Sequence, residues 1–558
     1  DGKLWLLQSR PITTLAGKPD PDAPRRIWDN SNIAESYSGV TTPLTYTFAR
    51  RAYENVYRQF CLIMNVPKDR VAKSDAVFKA MIGFIRGRIY YNLVSWYRVL
   101  ALLPGFRLNR AFMEQMMGVK EPMPPEIVAE IENDNTTSRF RDGLDLANTL
   151  GGLIREHWRL PRSIRDFHAR LADALVETSP TWQPEDWVAH YRDLEHKLLT
   201  RWDAPLVNDF LAMIFCGVLR KLTTKWCDDE SGALANGLLR DVGEVISVEP
   251  ARRIRAMAEK KANGENINDD VAAYLKEFGD RCMEELKLES QTLCDDPNPL
   301  MISVEAMSKR VDAKVEPMPE VKVPQMPGRR RIIFNWVLKH ARGRVRDREN
   351  LRFERTRVFG RVRQIVRTLG DRLAEQGLLS ERDDVFYLHL EEIVDHFEHT
   401  SAQPITPELI ATRKAEFAEY RAEDPPPDRF ETFGPPGAYR EFEDLLEAQQ
   451  LLDGDLKGTG ACAGRVRGPV RVVTDPRGVT LEPGEILVAQ QTDPGWVTLF
   501  PAASGLLVER GSLLSHSAIV AREMGIPAIV SIQSITKILE DGQEVEMDGE
   551  TGTIRVLN

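Results

Sequence analysis

The pattern of apolar and polar positions changes once along the chain, near residue 450. Before that point, apolar residues recur every three or four positions over long stretches, which is the spacing of amphipathic helices. The clearest example lies between Ile332 and Leu373 and places these residues on one helical face: Leu351, Val358, Val362, Ile365, Val366 and Leu369. The pattern therefore predicts a large, mainly α-helical part from residue 28 to residue 450.

Beyond residue 460 the pattern is that of short alternating strands separated by turns. The strand-like segments read RVRGPVRVV, EILVAQ, SGLLVE, AIV, VEMD and TIRVL, and Pro483-Gly484, Asp541-Gly542 and Asp548-Gly549 supply turns. About a hundred residues of this kind are enough for one compact β/α domain at 461–558. The glycine-rich, polar run LLDGDLKGTG at 451–460 predicts a hinge in front of it.

The other end of the chain adds a short apolar segment. Residues 3–12, KLWLLQSRPI, predict a strand that ends at Pro11, and the proline-rich run GKPDPDAPRR at 17–26 predicts a linker. A new domain is expected to begin near Trp28. Proline-rich breaks at 121–125, 315–327 and 425–436 interrupt the helical part, and we interpret them as surface loops.

Composition narrows the class of protein. The 558 residues are 42% hydrophobic and carry a net charge of −10, which favours a globular chain and argues against general nucleic-acid binding. No apolar run is long enough to span a bilayer and no signal peptide is found, so we expect a cytoplasmic protein without a membrane partner. The six cysteines form no CxxC pair and indicate reduced thiols. The chain opens with Asp1 and not Met, which we interpret as part of a longer protein.

The most informative stretch runs from residue 509 to residue 530 and reads ERGSLLSHSAIVAREMGIPAIV. Ser515 or Ser517 can cap a helix here, and Gly525 with Pro527 would stop it. His516 is then expected at a helix N-terminus, where backbone N–H groups and the helix dipole favour a bound anion. The same dipole disfavours imidazolium, so the His516 ring is expected to be neutral and nucleophilic, with a pKa of about 6.5.

The run Ser-His-x-Ala-Ile-Val-Ala-Arg-Glu-x-Gly-Ile-Pro-Ala resembles the phosphohistidine segment of the PEP-utilising enzymes, which include phosphoenolpyruvate synthase, pyruvate phosphate dikinase and rifampin phosphotransferase. The resemblance implies that His516 is catalytic and carries phosphate on a swivelling domain. It also implies that nearby residues support the phosphate or the histidine loop: Gly511, Ser512, Ser515, Arg522, Glu523, Thr492 and Asp493.

The segment QSRP resembles the last strand of the ATP-grasp domain in the same enzymes, which implies that Gln8 and Arg10 contact the nucleotide. Residues 1–15 are then a C-terminal remnant of that domain, and 16–27 the linker. The full-length protein is expected to use ATP and Mg²⁺ and to need the missing ATP-grasp domain as a partner. This chain alone is expected to hold no tightly bound cofactor and to be inactive with ATP.

The acceptor side is less closely specified by the sequence. The pattern Asn-Ile-x-Glu-x-x-x-Gly-Val-x-Thr-Pro-Leu resembles the start of a rifampin phosphotransferase acceptor domain, so these residues either line a site or form caps and turns: Asn32, Glu35, Thr41 and Thr42. Arg348, Arg352 and Arg355 share one helical face. They either form a solvated surface or meet a phosphoryl group. Aromatic residues between Phe60 and Met117 form either an apolar pocket or core.

The expected fold class is therefore a multidomain chain, with a large mainly α-helical domain followed by a small swivelling β/α phosphohistidine domain. The expected function is an ATP-dependent phosphotransferase of the dikinase type that passes phosphate through His516 to a small-molecule acceptor bound by residues 28–450. The alternatives are a phosphoenolpyruvate synthase-like enzyme, an ATP-driven condensing enzyme, or a non-catalytic phosphate carrier. No metal site is assigned, because His396 and His399 lie on an acidic surface-type helix. An enclosed apolar pocket near His516 would favour an enzyme.

Overall fold

The computed structural model describes most of the chain beyond residue 22. The described residues are 23–103, 106, 110, 122–134, 139–229, 232–239, 246, 249–282, 284–308, 321–439, 441–443, 445, 456–474, 476, 479–492, 496, 499–513 and 515–557. The predicted strand at 3–12, with Gln8 and Arg10, lies outside them. So do Asp493 and the first half of the predicted hinge, 451–455.

The first part of the chain is mainly helical. Its helices are Pro43–Ile63, Lys68–Lys73, Asp75–Lys79, Leu93–Leu102, Pro125–Asp134, Arg139–Ala174, Pro184–Lys197, Asp203–Cys227, Ala233–Leu238, Glu249–Ala262, Asn268–Phe278, Asn298–Ser308, Gly328–Glu375, Leu390–Phe397 and Pro407–Ala422. Two of them organise the rest: the long helix, Gly328–Glu375, and the inner helix, Asp203–Cys227, which packs along it. The apolar face predicted for the long helix is buried in the main hydrophobic core.

A small antiparallel sheet lies within this helical part. It consists of β1 (Arg25–Asp29), β2 (Ile82–Ile85), β3 (Arg88–Asn92) and β4 (Arg429–Phe433), in the order β2-β3-β1-β4. The predicted linker at 16–27 therefore overlaps β1, and the predicted loop at 425–436 contains β4. The buried ion pair between Asp29 and Arg429, 2.8 Å apart, explains both differences, because two residues that suggest polar surface neutralise each other inside the sheet.

The second part of the chain is built on one eight-stranded sheet. Its strands are β5 (Leu456–Lys457), β6 (Thr459–Cys462), β7 (Arg465–Val473), β8 (Ile486–Ala489), β9 (Gly505–Val508), β10 (Ala528–Val530), β11 (Glu544–Asp548) and β12 (Thr553–Val556). The order is β5-β12-β11-β7-β8-β9-β10-β6, with β7 to β10 parallel. Two short helices, His516–Met524 and Ile535–Ile538, belong to this part. Residues 456–460 are in β5 and β6, so the predicted hinge 451–460 overlaps the sheet.

The two parts are packed against each other. Ile519, on the helix that begins at His516, belongs to the main core of the helical part, and Ala251 of the helical part belongs to a core of the second part. The Asn236 side chain donates a hydrogen bond to the carbonyl of Gly460 at 3.1 Å. Arg510 of the second part forms an ion pair with Asp428 of the first at 2.7 Å. We call this arrangement the docked state.

One helical stretch, Pro184–Cys227, is long and apolar enough to cross a membrane by length and composition. The inner helix makes up most of it. Val207, Leu211, Phe215 and Leu219 of that helix are buried in the main hydrophobic core. Packing inside the protein accounts for the buried part of this stretch, which is 44% of its apolar window. The sequence-based expectation that no apolar run is long enough to span a bilayer is wrong for this stretch by length and composition.

Candidate functional site

The helix that carries His516, which we call the histidine helix, begins and ends as its sequence directs. Ser515, and not Ser517, occupies the N-cap position, and its hydroxyl accepts a hydrogen bond from the N–H of Ala518. Gly525 ends the helix in the left-handed conformation, at φ 71°. His516 is thus the first helical residue, and its backbone and side chain are fixed by a capped turn.

Arg522 holds the histidine helix to its surroundings. Its guanidinium is buried, donates a hydrogen bond to the carbonyl of Ala461 at 2.9 Å, and donates another to the carbonyl of Leu513. One side chain therefore joins the helix to β6 and to the loop that precedes the helix. Gly511 in that loop has φ 138°, a conformation that favours glycine.

His516 is buried at the contact between the two parts of the chain, with 1% of its surface exposed. Its Nδ1 lies 3.1 Å from Oε2 of Glu349 on the long helix, and Glu349 is itself fully buried. A carboxylate can only accept a hydrogen bond, so we assign the ring proton to Nδ1. Nε2 then has a lone pair, and this atom has no hydrogen-bond partner among the described residues.

The charges around the ring act in opposite directions. Burial lowers the pKa of His516 below its ordinary value, Glu349 raises it, and Arg352 and Arg281 lower it. The net result is a lowered pKa. The ring is therefore neutral at pH 7, as expected from the helix N-terminus, but the main cause is burial against the helical part and the pKa departs from about 6.5.

This shift predicts a pH dependence of docking. Below about pH 6.5 an exposed His516 takes up a proton, whereas the buried ring stays neutral to lower pH because its pKa is lowered. The undocked state then binds more protons, so docking weakens as pH falls through this window and is at full strength above it. Small-angle X-ray scattering between pH 5 and 8 should show expansion at the acid end. A His516→Gln variant should expand less, and an equal expansion of both proteins would contradict the assignment.

Arginines continue along the face of the long helix next to Glu349. Arg348 lies 3.8 Å from Asp209 of the inner helix, and Arg352 and Arg355 follow at helical spacing. The Nε atoms of Arg352 and Arg355 are buried without a hydrogen-bond partner among the described residues. A phosphoryl group at Nε2 of His516 would therefore be close to guanidinium donors that suit it. A solvated surface face does not describe these arginines.

The same face of the long helix, at Arg355, borders an apolar cavity of about 320 Å³. The inner helix and Pro43–Ile63 also line this cavity. Its aromatic lining residues are Tyr37, Tyr53, Tyr57, Phe60, Trp96, Trp202, Phe210 and Phe359, and its charged ones are Asp209 and Arg355. Volumes of roughly 300–1,000 Å³ and mostly apolar walls are typical of small-molecule sites. Phe60 and Trp96 thus contribute to a cavity wall, one of the two roles considered for the aromatic stretch.

A second, more open depression of about 490 Å³ lies at other residues of the same helix Pro43–Ile63. It is lined by charged side chains such as Arg51, Arg192 and Glu195, which pair with one another. Neither the long helix nor the histidine helix contributes to its described lining. The apolar cavity is therefore the better candidate for an acceptor site.

The residues proposed for the acceptor side near the start of the chain have mainly structural surroundings. Thr42 is the N-cap residue of Pro43–Ile63, and the Glu289 carboxylate accepts hydrogen bonds from the N–H of Thr42 and the hydroxyl of Thr45. Asn32 precedes the short 3₁₀ helix Ile33–Glu35. Tyr37 lines the apolar cavity, whereas Asn32, Thr41 and Thr42 are not among its described lining residues. The cap and turn interpretation fits these threonines.

The remaining predicted residues, Ser512, Thr492 and Glu523, differ in burial. Ser512 is exposed and its carbonyl accepts a hydrogen bond from the N–H of Ser515 at 3.0 Å. Thr492 is buried, and Glu523 lies half-buried in the last turn of the helix. In the part of the chain that the structure describes, no group of three metal-ligating side chains is found.

Sequence reasoning missed four residues of the site: Glu349, Asp209, Tyr37 and Arg281. Glu349 lies inside a run of arginines and resembles a surface ion-pair partner. Arg281 is buried, with 4% of its surface exposed, and lies on the segment that follows helix Asn268–Phe278. The available signal was a single acid on an otherwise apolar helix, as at Asp209 in the stretch VNDFLAMIF, because a carboxylate is uncommon in such a stretch.

Comparison with known proteins agrees with this geometry. The family model of the PEP-utilising enzyme mobile domain matches residues 481–552, which include the histidine helix. The chain contains a PEP-utilising mobile domain. The matched residues contain the histidine helix and four of the eight strands, β8 to β11, and His516 lies at the contact with the helical part.

Relatives extend the similarity into the helical part. An uncharacterised protein of Mycobacterium tuberculosis is 34% identical over 313 residues, which are 56% of this chain and 34% of that protein. Rifampicin phosphotransferases of Streptomyces sviceus and Bacillus subtilis are 29% and 26% identical over 54% and 53% of this chain, and 35% of each relative is covered. The chain therefore spans about a third of the length of these relatives. A solution structure of Enzyme I matches at 14% identity with a TM-score of 0.16, which supports no structural argument.

Proposed function

We propose that this chain is the acceptor and carrier portion of an ATP-dependent phosphotransferase. His516 receives a phosphoryl group on Nε2 and passes it to a hydroxyl group of a small molecule in the apolar cavity. The observation that carries the proposal is the arrangement of the ring: Nδ1 is held by Glu349, and Nε2 has no hydrogen-bond partner among the described residues. Delivery from Nε2 needs the other ring nitrogen to keep its proton, and a carboxylate beside Nδ1 holds the proton there.

The electrostatics of the contact support transfer at this position. Phosphoryl transfer depends mainly on positioning and on neutralising charge, and Arg352 and Arg281 both act on the His516 ring. Burial of the ring excludes water, which would otherwise hydrolyse a phosphohistidine. The docked state therefore provides the conditions that transfer to the acceptor needs in the proposed reaction.

The buried ring also implies movement. With 1% of its surface exposed, His516 has no free face for a donor in the docked state. We infer that the mobile domain undocks to receive phosphate and docks to deliver it. Among the described residues the contact is mixed: it contains the ion pair between Arg510 and Asp428, the hydrogen bonds of His516 and Asn236, and a few apolar residues, so the two states need not differ by much free energy.

The apolar cavity favours an enzyme over a non-catalytic carrier. It is a partly open cavity with mainly aromatic walls, and Arg355 connects it to the arginine face beside Glu349. The rifampicin phosphotransferases among the relatives favour a small-molecule acceptor over the condensing reaction considered from the sequence. Their name does not identify the acceptor of this chain.

The proposal is tested by labelling His516. The protein is incubated with ATP labelled at the β-phosphorus and Mg²⁺, and separately with labelled phosphoramidate, a small donor that phosphorylates histidine directly. We expect acid-labile, alkali-stable label with phosphoramidate in the wild-type protein and none on that site in His516→Ala, as judged by peptide mapping. His396→Ala is the matched control, because this histidine lies on a surface helix. Equal site labelling in His516→Ala would refute the proposal.

A further inference from the structure

Asp209 has an unusual position for a carboxylate. It lies on the inner helix and lines the apolar cavity, and it is the one acidic residue among the described lining residues. Its side chain keeps 48% of its surface accessible, and this surface borders the cavity. Apart from Arg355, the charged or polar character of the described wall is confined to Asp209 and the tyrosine hydroxyls, so this accessible carboxylate is available to a molecule in the cavity.

The contacts of Asp209 do not satisfy the carboxylate. Its nearest charged partner is Nε of Arg348 at 3.8 Å, which is too long for a hydrogen bond. No hydrogen bond to its carboxylate is found within the described ranges. A purely structural counter-ion would be expected to form the paired contacts seen between Arg429 and Asp29 at 2.8 Å.

The neighbouring charges set the basicity of Asp209. Desolvation raises its pKa, Arg348, Arg355 and Arg352 lower it, and Glu349 raises it, with a raised pKa as the net result. A carboxylate of raised pKa is a better proton acceptor than an ordinary one. The tyrosines of the cavity wall, Tyr37 and Tyr53, have raised pKa values because of burial and stay protonated.

The position of Asp209 also relates it to His516. It interacts electrostatically with Glu349, which holds the imidazole, and with Arg355, which lines the same cavity. Glu349 and Arg355 are six residues apart on the long helix, or about 9 Å along its axis at 1.5 Å per residue. Asp209 therefore faces the turns of the long helix between Glu349, which contacts His516, and Arg355, which lines the acceptor cavity.

We propose that Asp209 is the catalytic base of the acceptor half-reaction, and that the acceptor is a flat aromatic compound with a hydroxyl group. This inference rests on the proposed function and adds the proton acceptor and the chemical class of the substrate. The aromatic walls select the ring system by stacking and apolar burial. The carboxylate selects the hydroxyl, because a molecule without it would cover the Asp209 carboxylate and leave it without a hydrogen-bond donor.

The proposed step balances as follows. The hydroxyl oxygen forms a bond to phosphorus, and the bond between phosphorus and Nε2 of His516 breaks. The electron pair of that bond returns to Nε2, so the ring becomes the neutral imidazole with its proton on Nδ1 facing Glu349. The hydroxyl proton moves to the Asp209 carboxylate, as an aspartate does for the substrate hydroxyl in protein kinases. Water later removes this proton.

The test separates phosphorylation of His516 from transfer to an acceptor. Wild type, Asp209→Asn and Asp209→Glu are labelled with phosphoramidate, freed of donor, and mixed with 2-naphthol or 2-naphthalenemethanol. Loss of phosphohistidine and formation of the naphthyl phosphate are followed together. Asp193→Asn is the matched control, because Asp193 is a carboxylate on a surface helix that pairs with Lys197. Circular dichroism and naphthol binding verify that each variant folds and keeps the cavity.

We expect Asp209→Asn to label like the wild type and to lose transfer by at least about 100-fold, the lower range for general-base catalysis. Asp209→Glu should recover part of the transfer, and Asp193→Asn should match the wild type. Unchanged transfer in Asp209→Asn overturns the role of Asp209. Absence of transfer from labelled wild type to either naphthyl compound overturns the acceptor class. Failure of His516 to label in the wild type overturns the proposed function itself, and this inference with it.

Discussion

Replacement of Glu349 by Gln is expected to lower the rate of phosphoryl transfer from His516 to a bound acceptor by about 100-fold, or about 2.7 kcal/mol of transition-state stabilisation. The Glu349 carboxylate lies 3.1 Å from Nδ1 in the docked state and keeps a proton on that nitrogen, so that Nε2 leaves phosphorus as part of a neutral imidazole. Glutamine keeps the shape and one acceptor oxygen, but it has no charge and its amide nitrogen can face Nδ1 instead. The phosphorylated ring then loses its fixed proton and becomes a poorer leaving group.

The measurement is the rate at which protein labelled with phosphoramidate and freed of donor passes its phosphoryl group to 2-naphthol across pH 5 to 9. A change of electrostatics should move the pH profile as well as the rate: Glu349 raises the pKa of His516, so its removal should shift the histidine limb to lower pH. Glu375→Gln is the matched control, since Glu375 ends the same helix and pairs with exposed Arg372. Wild-type rate and pH profile in Glu349→Gln would show that the carboxylate only supports the fold.

The sequence predicts well what depends on neighbouring residues. The histidine helix has its cap at Ser515 and its stop at Gly525 in the sequence itself, so its position could be read without a structure. The apolar face of the long helix could also be predicted from neighbouring residues, because apolar residues recur at every turn of that helix. Assignment of the PEP-utilising mobile domain likewise rests on a contiguous motif.

Contacts between distant residues could not be predicted in this way. Glu349 meets His516 across 167 positions of sequence, and β4 pairs with β1 about 400 positions away, as the hydrogen bond between Arg429 and Asp29 shows. In each case a charged residue suggests solvent in its local context, and its partner is what permits burial. Asp209 could not be recognised from the sequence for the same reason, since the cavity that it lines is assembled from four separate helices.

Reversal of the charge at Arg510 is expected to shift the docking equilibrium of the mobile domain by at least about 100-fold toward the undocked state. Arg510 is buried in the contact, with 8% of its side chain exposed, and pairs with Asp428 at 2.7 Å. Arg510→Glu places two carboxylates together there, and like charges in an interface cost several kcal/mol. About 2.8 kcal/mol is already a factor of 100.

Two rates should then move in opposite directions. His516 is covered in the docked state, so labelling by phosphoramidate should become faster in Arg510→Glu, whereas transfer from labelled His516 to a bound acceptor should become slower. A merely misfolded mobile domain would slow both. The double variant Arg510→Glu/Asp428→Arg restores an ion pair in reverse and should return both rates toward the wild type.

Arg467→Glu provides the control for charge alone. Arg467 lies on the same sheet, is largely exposed and pairs with Glu544 at 3.8 Å, outside the described contacts between the two parts. Its reversal should leave both rates unchanged, because exposed ion pairs contribute little. If Arg510→Glu labels no faster than Arg467→Glu, the ion pair with Asp428 does not limit exposure of His516. Docking would then depend on the apolar contact of Ile519, whose replacement by Asp should expose the ring instead.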